Sequence, residues 1–242
     1  MKEIKKYIEK IEDGETILYD NPEYIKYKVE KLYEVYLKKS GIPQFYWNIN
    51  FEDYVGDKNS KSFKMLYNYA NNILDKKYDF VNLYIQGSSG TQKTAIGANI
   101  LKSAMKQGLR AKFILAGQLI NKLMKLQSYS VDERIQEEVN LIRDADIILI
   151  DDIFDSEKSL YWKSENNSLI ISEWDTFFRD MIAQGKKIIL TSNFGLEIIQ
   201  QKYGDYLYEL IHRNFKEIEL RDSVKEKRKL KVEGAFDDKQ SD

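Results

Sequence analysis

The chain contains no cysteine, a single histidine and only two prolines. The missing thiols exclude disulfides, thiolate zinc centres and cysteine nucleophiles, and His212 alone cannot build a histidine metal cluster. No apolar run approaches a membrane span, and Met1-Lys2-Glu3-Ile4-Lys5-Lys6 leads into mixed-charge sequence rather than a signal-peptide core, so a cytoplasmic location is expected. An excess of one charge is missing too. Lys+Arg 38 stand against Asp+Glu 39, a formal net charge of -1, so any nucleic-acid surface must come from local clustering. The 242 residues suffice for one large domain, or one domain with a small appendage.

What the sequence does hold is Gly87-Ser88-Ser89-Gly90-Thr91-Gln92-Lys93-Thr94, which fits the phosphate-loop template GxxxxGK(T/S) except at Gln92, where glycine is expected. In such a loop, backbone N–H groups and a helix N-terminus converge on phosphate oxygens. Lys93 then reaches the β- and γ-phosphates, and the Thr94 hydroxyl helps to hold Mg²⁺. The flanks agree with the template, since residues 80–86 read as a strand and residues 94–101 open a helix. Gln92 has two readings, a tolerated variant or the mark of a slow or switched-off ATPase. A Cβ in a left-handed loop conformation costs about 1–2 kcal/mol, small beside a cradled triphosphate.

Along the chain, residues 1–40 read as a helical N-terminal extension. Ile4, Ile8 and Ile11 share one face of a short helix ending near Gly14. A second helix is capped by Asn21, takes Pro22 in its first turn, repeats Ile25, Val29, Leu32 and Tyr36 at helical spacing, and stops at Gly41. This extension is too small for a core of its own and packs on the main domain or serves as a docking arm. An aromatic connector follows from Gly41 to Asp57, then a helix directing Phe63, Leu66, Ala70, Ile73 and Leu74 inward. Strands at 111–115, 147–150, 187–191 and 216–220 then alternate with helices at 118–127, 131–143 and 168–183. Continuous apolar strands between helices predict an α/β domain, a five-stranded parallel sheet covered on both faces, over residues 41–221. Residues 222–242 form a charged tail.

Two further segments carry chemistry. Ile147-Ile148-Leu149-Ile150-Asp151-Asp152 is an apolar strand ending in acid, which places Asp151 in the Mg²⁺ shell and lets Asp152 polarise the attacking water. Lys187 to Gly195 is a strand whose polar end, Thr191-Ser192-Asn193, is placed to touch a γ-phosphate or the catalytic water.

On these residues the chain resembles the AAA+ ATPases of the DnaC/DnaI-like helicase loaders and the IstB-like transposition helpers. The resemblance runs from about Ser40 to Arg221 and includes Gly41-Ile42-Pro43, Phe51-Glu52-Asp53, the loop, Ile150-Asp151-Asp152, Thr191-Ser192-Asn193, Gly204 and Ile218-Glu219-Leu220. It implies a three-layer P-loop sandwich without a C-terminal lid, with ATP and Mg²⁺ as ligands. Ile42 and Pro43 are implied beside the adenine, Asn193 as the sensor, and Lys93, Asp152, Asn193 and an arginine finger as the catalytic set. Tyr206 and Leu210 stand where the family has arginines, which leaves Arg213, with Arg179 as a weaker substitute, or a plain helix-terminal cation in Arg213's place. The implied partners are a replicative helicase, single-stranded DNA and other copies of the chain. Lys122, Lys125 and Tyr129, or Lys158, Tyr161, Trp162 and Lys163, mix cations with stacking rings and are the candidate DNA surfaces; a solvated lysine face is the plainer reading of both. Three functions follow as expectations: an ATP-dependent helicase loader, an IstB-like transposition helper, and a nucleotide-binding adaptor with little turnover.

Overall fold

The computed structural model describes residues 5–12, 15–127, 132–154 and 167–221. Its centre is a parallel sheet of β3 (Asn82–Gln86), β4 (Ala111–Leu115), β5 (Ile147–Asp151), β6 (Lys187–Ser192) and β7 (Phe215–Glu219), in the order β4-β5-β6-β3-β7. Side chains alternate across the pleat, and the apolar strand runs use both faces. Tyr84, Ile148, Ile150, Ile188 and Leu190 point to one face, and Leu83, Ile85, Ile147, Leu149 and Ile189 to the other.

The first face is covered by α4 (Ala116–Leu126), α5 (Glu133–Arg143), α6 (Asn167–Ala183), α7 (Leu196–Tyr203) and α8 (Asp205–Asn214). Trp174, fully buried on α6, stacks on Phe178 with ring centroids 5.3 Å apart. The second face carries α2 (Lys61–Asn71) and α3 (Lys93–Lys106). Gly97 lets α3 lie directly on β5, because a Cβ there would come 2.7 Å from Leu149 Cδ2. That close approach brings the first turn of α3 to the carboxyl end of β5. The result is the expected three-layer sandwich.

The N-terminal extension is only partly helical. α1 (Pro22–Lys39) starts as expected, with the Asn21 side chain accepting from Glu23 N at 3.0 Å and Pro22 in the first turn. It packs on the second layer through Tyr33, Tyr36 and Leu37. The expected helix through Ile8 and Ile11 is instead an antiparallel pair, β1 (Tyr7–Glu12) and β2 (Glu15–Asp20), with Ile8 opposite Tyr19 and Lys10 opposite Ile17. The sequence separates the strands by Asp13-Gly14, a two-residue hairpin signal, and the strands hold the β-formers Tyr7, Ile8, Ile11, Thr16, Ile17 and Tyr19. Ile4 lies outside the described residues. A second correction concerns Leu74. Asn72 breaks helical geometry at φ −126, so Leu74 lies beyond α2 and is exposed, while Ile73 stays in the core.

Candidate nucleotide site

The loop between β3 and α3 is held by its own backbone and by the end of β6. Gly87 N donates to Ser192 O at 3.3 Å, and Thr91 donates to Ser88 O through both its N–H (3.3 Å) and its hydroxyl (2.9 Å). Gly87 cannot carry a side chain, since a Cβ would stand 2.4 Å from Leu220 O. Gln92 takes the left-handed conformation, φ 64 and ψ 26, that the template reserves for glycine. It therefore carries the strain anticipated from the sequence, about 1–2 kcal/mol. Its side chain does not cap α3. The Gln92 Oε1 accepts from Val55 N at 2.9 Å, across 37 positions of sequence.

Three segments far apart in sequence meet at the carboxyl edge of the sheet. Lys93, 6% exposed, donates from Nζ to Gly87 O (2.7 Å), Ser88 O (3.0 Å) and Asn193 Oδ1 (2.8 Å). The Thr94 hydroxyl meets both Asp151 oxygens, at 3.0 and 3.1 Å. Thr191, at the end of β6, donates its hydroxyl to Asp151 Oδ1 and accepts from Asp152 N at 3.0 Å. Asp152 itself sits at φ 56, a strained conformation that this bond and Ile153 N to Thr191 O (2.9 Å) hold in place. Sequence reasoning missed the bridging role of Thr191, because nothing local marks a strand-end threonine as the partner of two acids on another strand.

Asp151 is 3% exposed, and burial pushes its carboxyl up to about 6; the Thr191 hydroxyl opposes the shift and the charge of Asp152 adds to it. A buried carboxylate facing a threonine hydroxyl suits a hard cation. Mg²⁺ is commonly held by one or two carboxylates plus substrate phosphates rather than by an all-protein cage. The Ser88 hydroxyl in the loop is buried with no partner among the described residues, a sign that this surface is built for a polar ligand. Asp151, Thr94 and the loop therefore fit a Mg²⁺-bound triphosphate.

A cleft of ≈ 330 Å³ opens at these groups, lined by Ser89, Gly90, Gln92, Lys93, Thr94, Asp152 and Asn193 among others. Phe45, Tyr46 and Ile49 of the connector supply a further part of its wall. That wall is fixed by Lys102, only 4% exposed, whose ammonium donates to Tyr46 O (2.8 Å), Trp47 O (3.2 Å) and Ile49 O. Burial, reinforced by Lys106 and opposed by Asp53, draws the Lys102 pKa down to about 8. Ile42 and Pro43, expected beside the base, are not among the lining residues of this cleft. Ile42 is buried in the core with its carbonyl taken by Trp47 Nε1 at 2.8 Å, and Pro43 is exposed beside it. A second cleft, ≈ 490 Å³, lies past the end of β7 and is lined by Tyr54, Asp57, Ser60, Lys61, Leu220 and Arg221 among others.

The candidate arginines stand apart from this centre. Arg213 ends α8 just before β7 begins, so a five-residue strand, about 16 Å, separates it from the carboxyl edge. It pairs with Glu209 at 2.7 Å and its side chain is 75% exposed. Arg179 is held by Asp175 at 2.9 Å and by the Tyr206 hydroxyl at 3.2 Å. Of the candidate DNA surfaces, Lys122 is engaged by Glu138, while Tyr129, Lys158, Tyr161, Trp162 and Lys163 lie outside the described residues, as does the tail 222–242. No helix among the described residues is long and apolar enough to cross a membrane.

Comparison with known proteins agrees with this architecture. The model of the bacterial DnaA ATPase domain matches residues 47–201, more than half of the chain. Among solved structures, the DnaC helicase loader superposes with a TM-score of 0.55 at 21% identity, over 74% of this chain and 99% of that one. DnaI superposes with 0.57 at 17%, over 74% and 94%. The replication initiator DnaA bound to AMPPCP and single-stranded DNA gives 0.55 at 24%, over 79% of this chain and 56% of that one. Compared by sequence with curated proteins, the chain matches none. With a phosphate loop, an acid-ended β5 and a polar-ended β6 converging on one edge of a β4-β5-β6-β3-β7 sheet, the chain belongs to the bacterial DnaA ATPase-domain family, in the AAA+ fold that DnaC and DnaI share.

Proposed function

We propose that the chain binds and hydrolyses ATP as the nucleotide-responsive module of a helicase loader in DNA replication. The observation that carries this reading is the meeting of Lys93 with Asn193 at 2.8 Å and of Thr94 with Asp151 at 3.0 Å, which joins three distant segments around one loop. The loop N–H groups and Lys93 bind the phosphates, and Asp151 and Thr94 hold Mg²⁺. The base and ribose lie toward the cleft at Tyr54 and Leu220 rather than beside Ile42 and Pro43. Bound Mg²⁺ neutralises charge on the phosphate oxygens. Asp152 orients the attacking water and takes its proton, and Asn193 fixes Lys93 against the loop.

The cleft that holds Lys93, Asp152 and Asn193 has no arginine among its described lining residues. Arg213 stands at the opposite edge of the sheet, so it acts on a neighbouring molecule, another copy or the partner. Turnover by the isolated chain is then slow, which also keeps the adaptor with little turnover in view as a second reading. The loader assignment draws on the likeness to DnaC and DnaI and on the single-stranded DNA in the DnaA neighbour. Residues 1–40 are the arm assigned to the helicase, and residues 41–221 the ATPase domain.

The test combines ATP hydrolysis with association. The purified chain should hydrolyse ATP slowly and only with Mg²⁺, should co-purify with the replicative helicase of its host, and should speed up when helicase and single-stranded DNA are added. Arg213→Ala should keep basal binding and lose that acceleration. A chain that binds ATP but never associates with the helicase contradicts the loader role.

A further inference from the structure

Gln92 is the one departure from the loop template, and restoring glycine is the obvious way to improve the loop. The geometry argues the reverse. The side chain leaves α3 uncapped and reaches the connector, where Val55 N–H binds its Oε1 at 2.9 Å. Since Val55 offers a donor, the amide can present only its oxygen there; the orientation of Gln92 is fixed. With Oε1 given to Val55, the Nε2 group has no hydrogen-bond partner among the described residues, and it belongs to a side chain that lines the cleft with Ser89, Gly90, Lys93 and Thr94. Val55 is itself well anchored. Its neighbour Tyr54 stacks on Phe63 of α2 with ring centroids 4.8 Å apart, and Tyr54 also lines the second cleft.

We propose that Gln92 is a nucleotide-binding residue, with its amide oriented by Val55 so that Nε2 donates to the phosphate chain while Oε1 ties the connector to the loop. The left-handed backbone at this position is then kept because the side chain supplies a ligand that glycine cannot. The inference rests on the nucleotide reading of the site given above.

The experiment measures the affinity of the full chain for a fluorescent ATP analogue and for the matching AMP analogue, both with Mg²⁺, in the native chain and in Gln92→Gly, Gln92→Met and Gln92→Glu. Gly and Met should weaken triphosphate binding about 3- to 10-fold, the worth of one hydrogen bond, and leave AMP binding nearly unchanged. Glu keeps the acceptor for Val55 but brings a negative charge toward the phosphates, so it should weaken ATP most. Hydrogen exchange of the nucleotide-free chain reads the Val55 bond separately, and the Val55 amide should exchange faster in Gln92→Met. Equal or tighter ATP binding by Gln92→Gly or Gln92→Met overturns the inference, as does unchanged exchange at Val55. A native chain that binds no nucleotide defeats instead the reading on which the inference rests.

Discussion

Asp151 brings a carboxylate into an almost fully buried position and keeps it there with two threonine hydroxyls, one from the loop helix and one from the adjacent strand. A carboxyl held at about 6 binds its proton more tightly in the folded chain than in the unfolded one. Its contribution to stability is therefore fully present below about pH 4 and is lost as the pH rises through 6. Two outcomes follow. Asp151→Asn should raise the melting temperature of the nucleotide-free protein at pH 7.5, by a stabilisation of about 1–3 kcal/mol, and at the same time abolish the Mg²⁺-dependent part of nucleotide binding. In the native chain, Mg²⁺-dependent affinity should be flat above pH 7 and fall about tenfold per unit below 6, because proton and cation compete for the same oxygens. Calorimetry and titration across pH 5–8 check both. At this scale much of the site was legible. Lys93, Thr94, Asp151, Asp152 and Asn193 are identifiable from local spacing, because the strand-then-ligand order is written in consecutive residues. Thr191 and Val55 are not, since each acts through a contact made only by folding.

Among the elements, the connector between α1 and α2 departs most from its sequence reading. Its aromatic residues were visible, but their use was not. The segment turns on two short helical turns, Gln44–Tyr46 and Phe51–Asp53, and buries Phe51 and Tyr54 against α2. That leaves Phe45, Tyr46 and Ile49 as a cleft wall held by the Lys102 ammonium. Lys102→Met should lower stability by about 1–3 kcal/mol through the carbonyls left without their donor, and should loosen the wall so that nucleotide affinity falls as well. Chemical denaturation and a nucleotide titration on one preparation measure both effects. A lysine in the middle of α3 carries no such signal in the sequence, where it reads as an ordinary solvated cation. The hairpin before α1 shows the opposite failure. Three isoleucines at helical spacing suggested a face, but with β-branched and aromatic residues on both sides of Asp13-Gly14 the strand preference prevails.

For the whole molecule, the sheet order explains why the loop, the acids and Asn193 share one edge while the α8 arginine lies at the other. Parallel strands place all their carboxyl ends together, and ligands of such sheets bind there. The alternation of strand and helix made this layout legible from the sequence, and the apolar runs marked both faces of the sheet as covered. The same topology sets Arg213 at the edge away from the loop, so under the function proposed above it would serve a second molecule, and catalysis would belong to the assembly. The central claim is that the loop at Gly87–Thr94 binds ATP with Mg²⁺ through Lys93. Isothermal titration of ATP with Mg²⁺ into the native chain and into Lys93→Ala tests it most directly. The account predicts saturable one-to-one binding by the native chain and a loss of at least about 100-fold in Lys93→Ala, as expected on removing a charged phosphate ligand that touches two phosphates. Equal affinity in the two proteins, or no binding by the native chain, would contradict it.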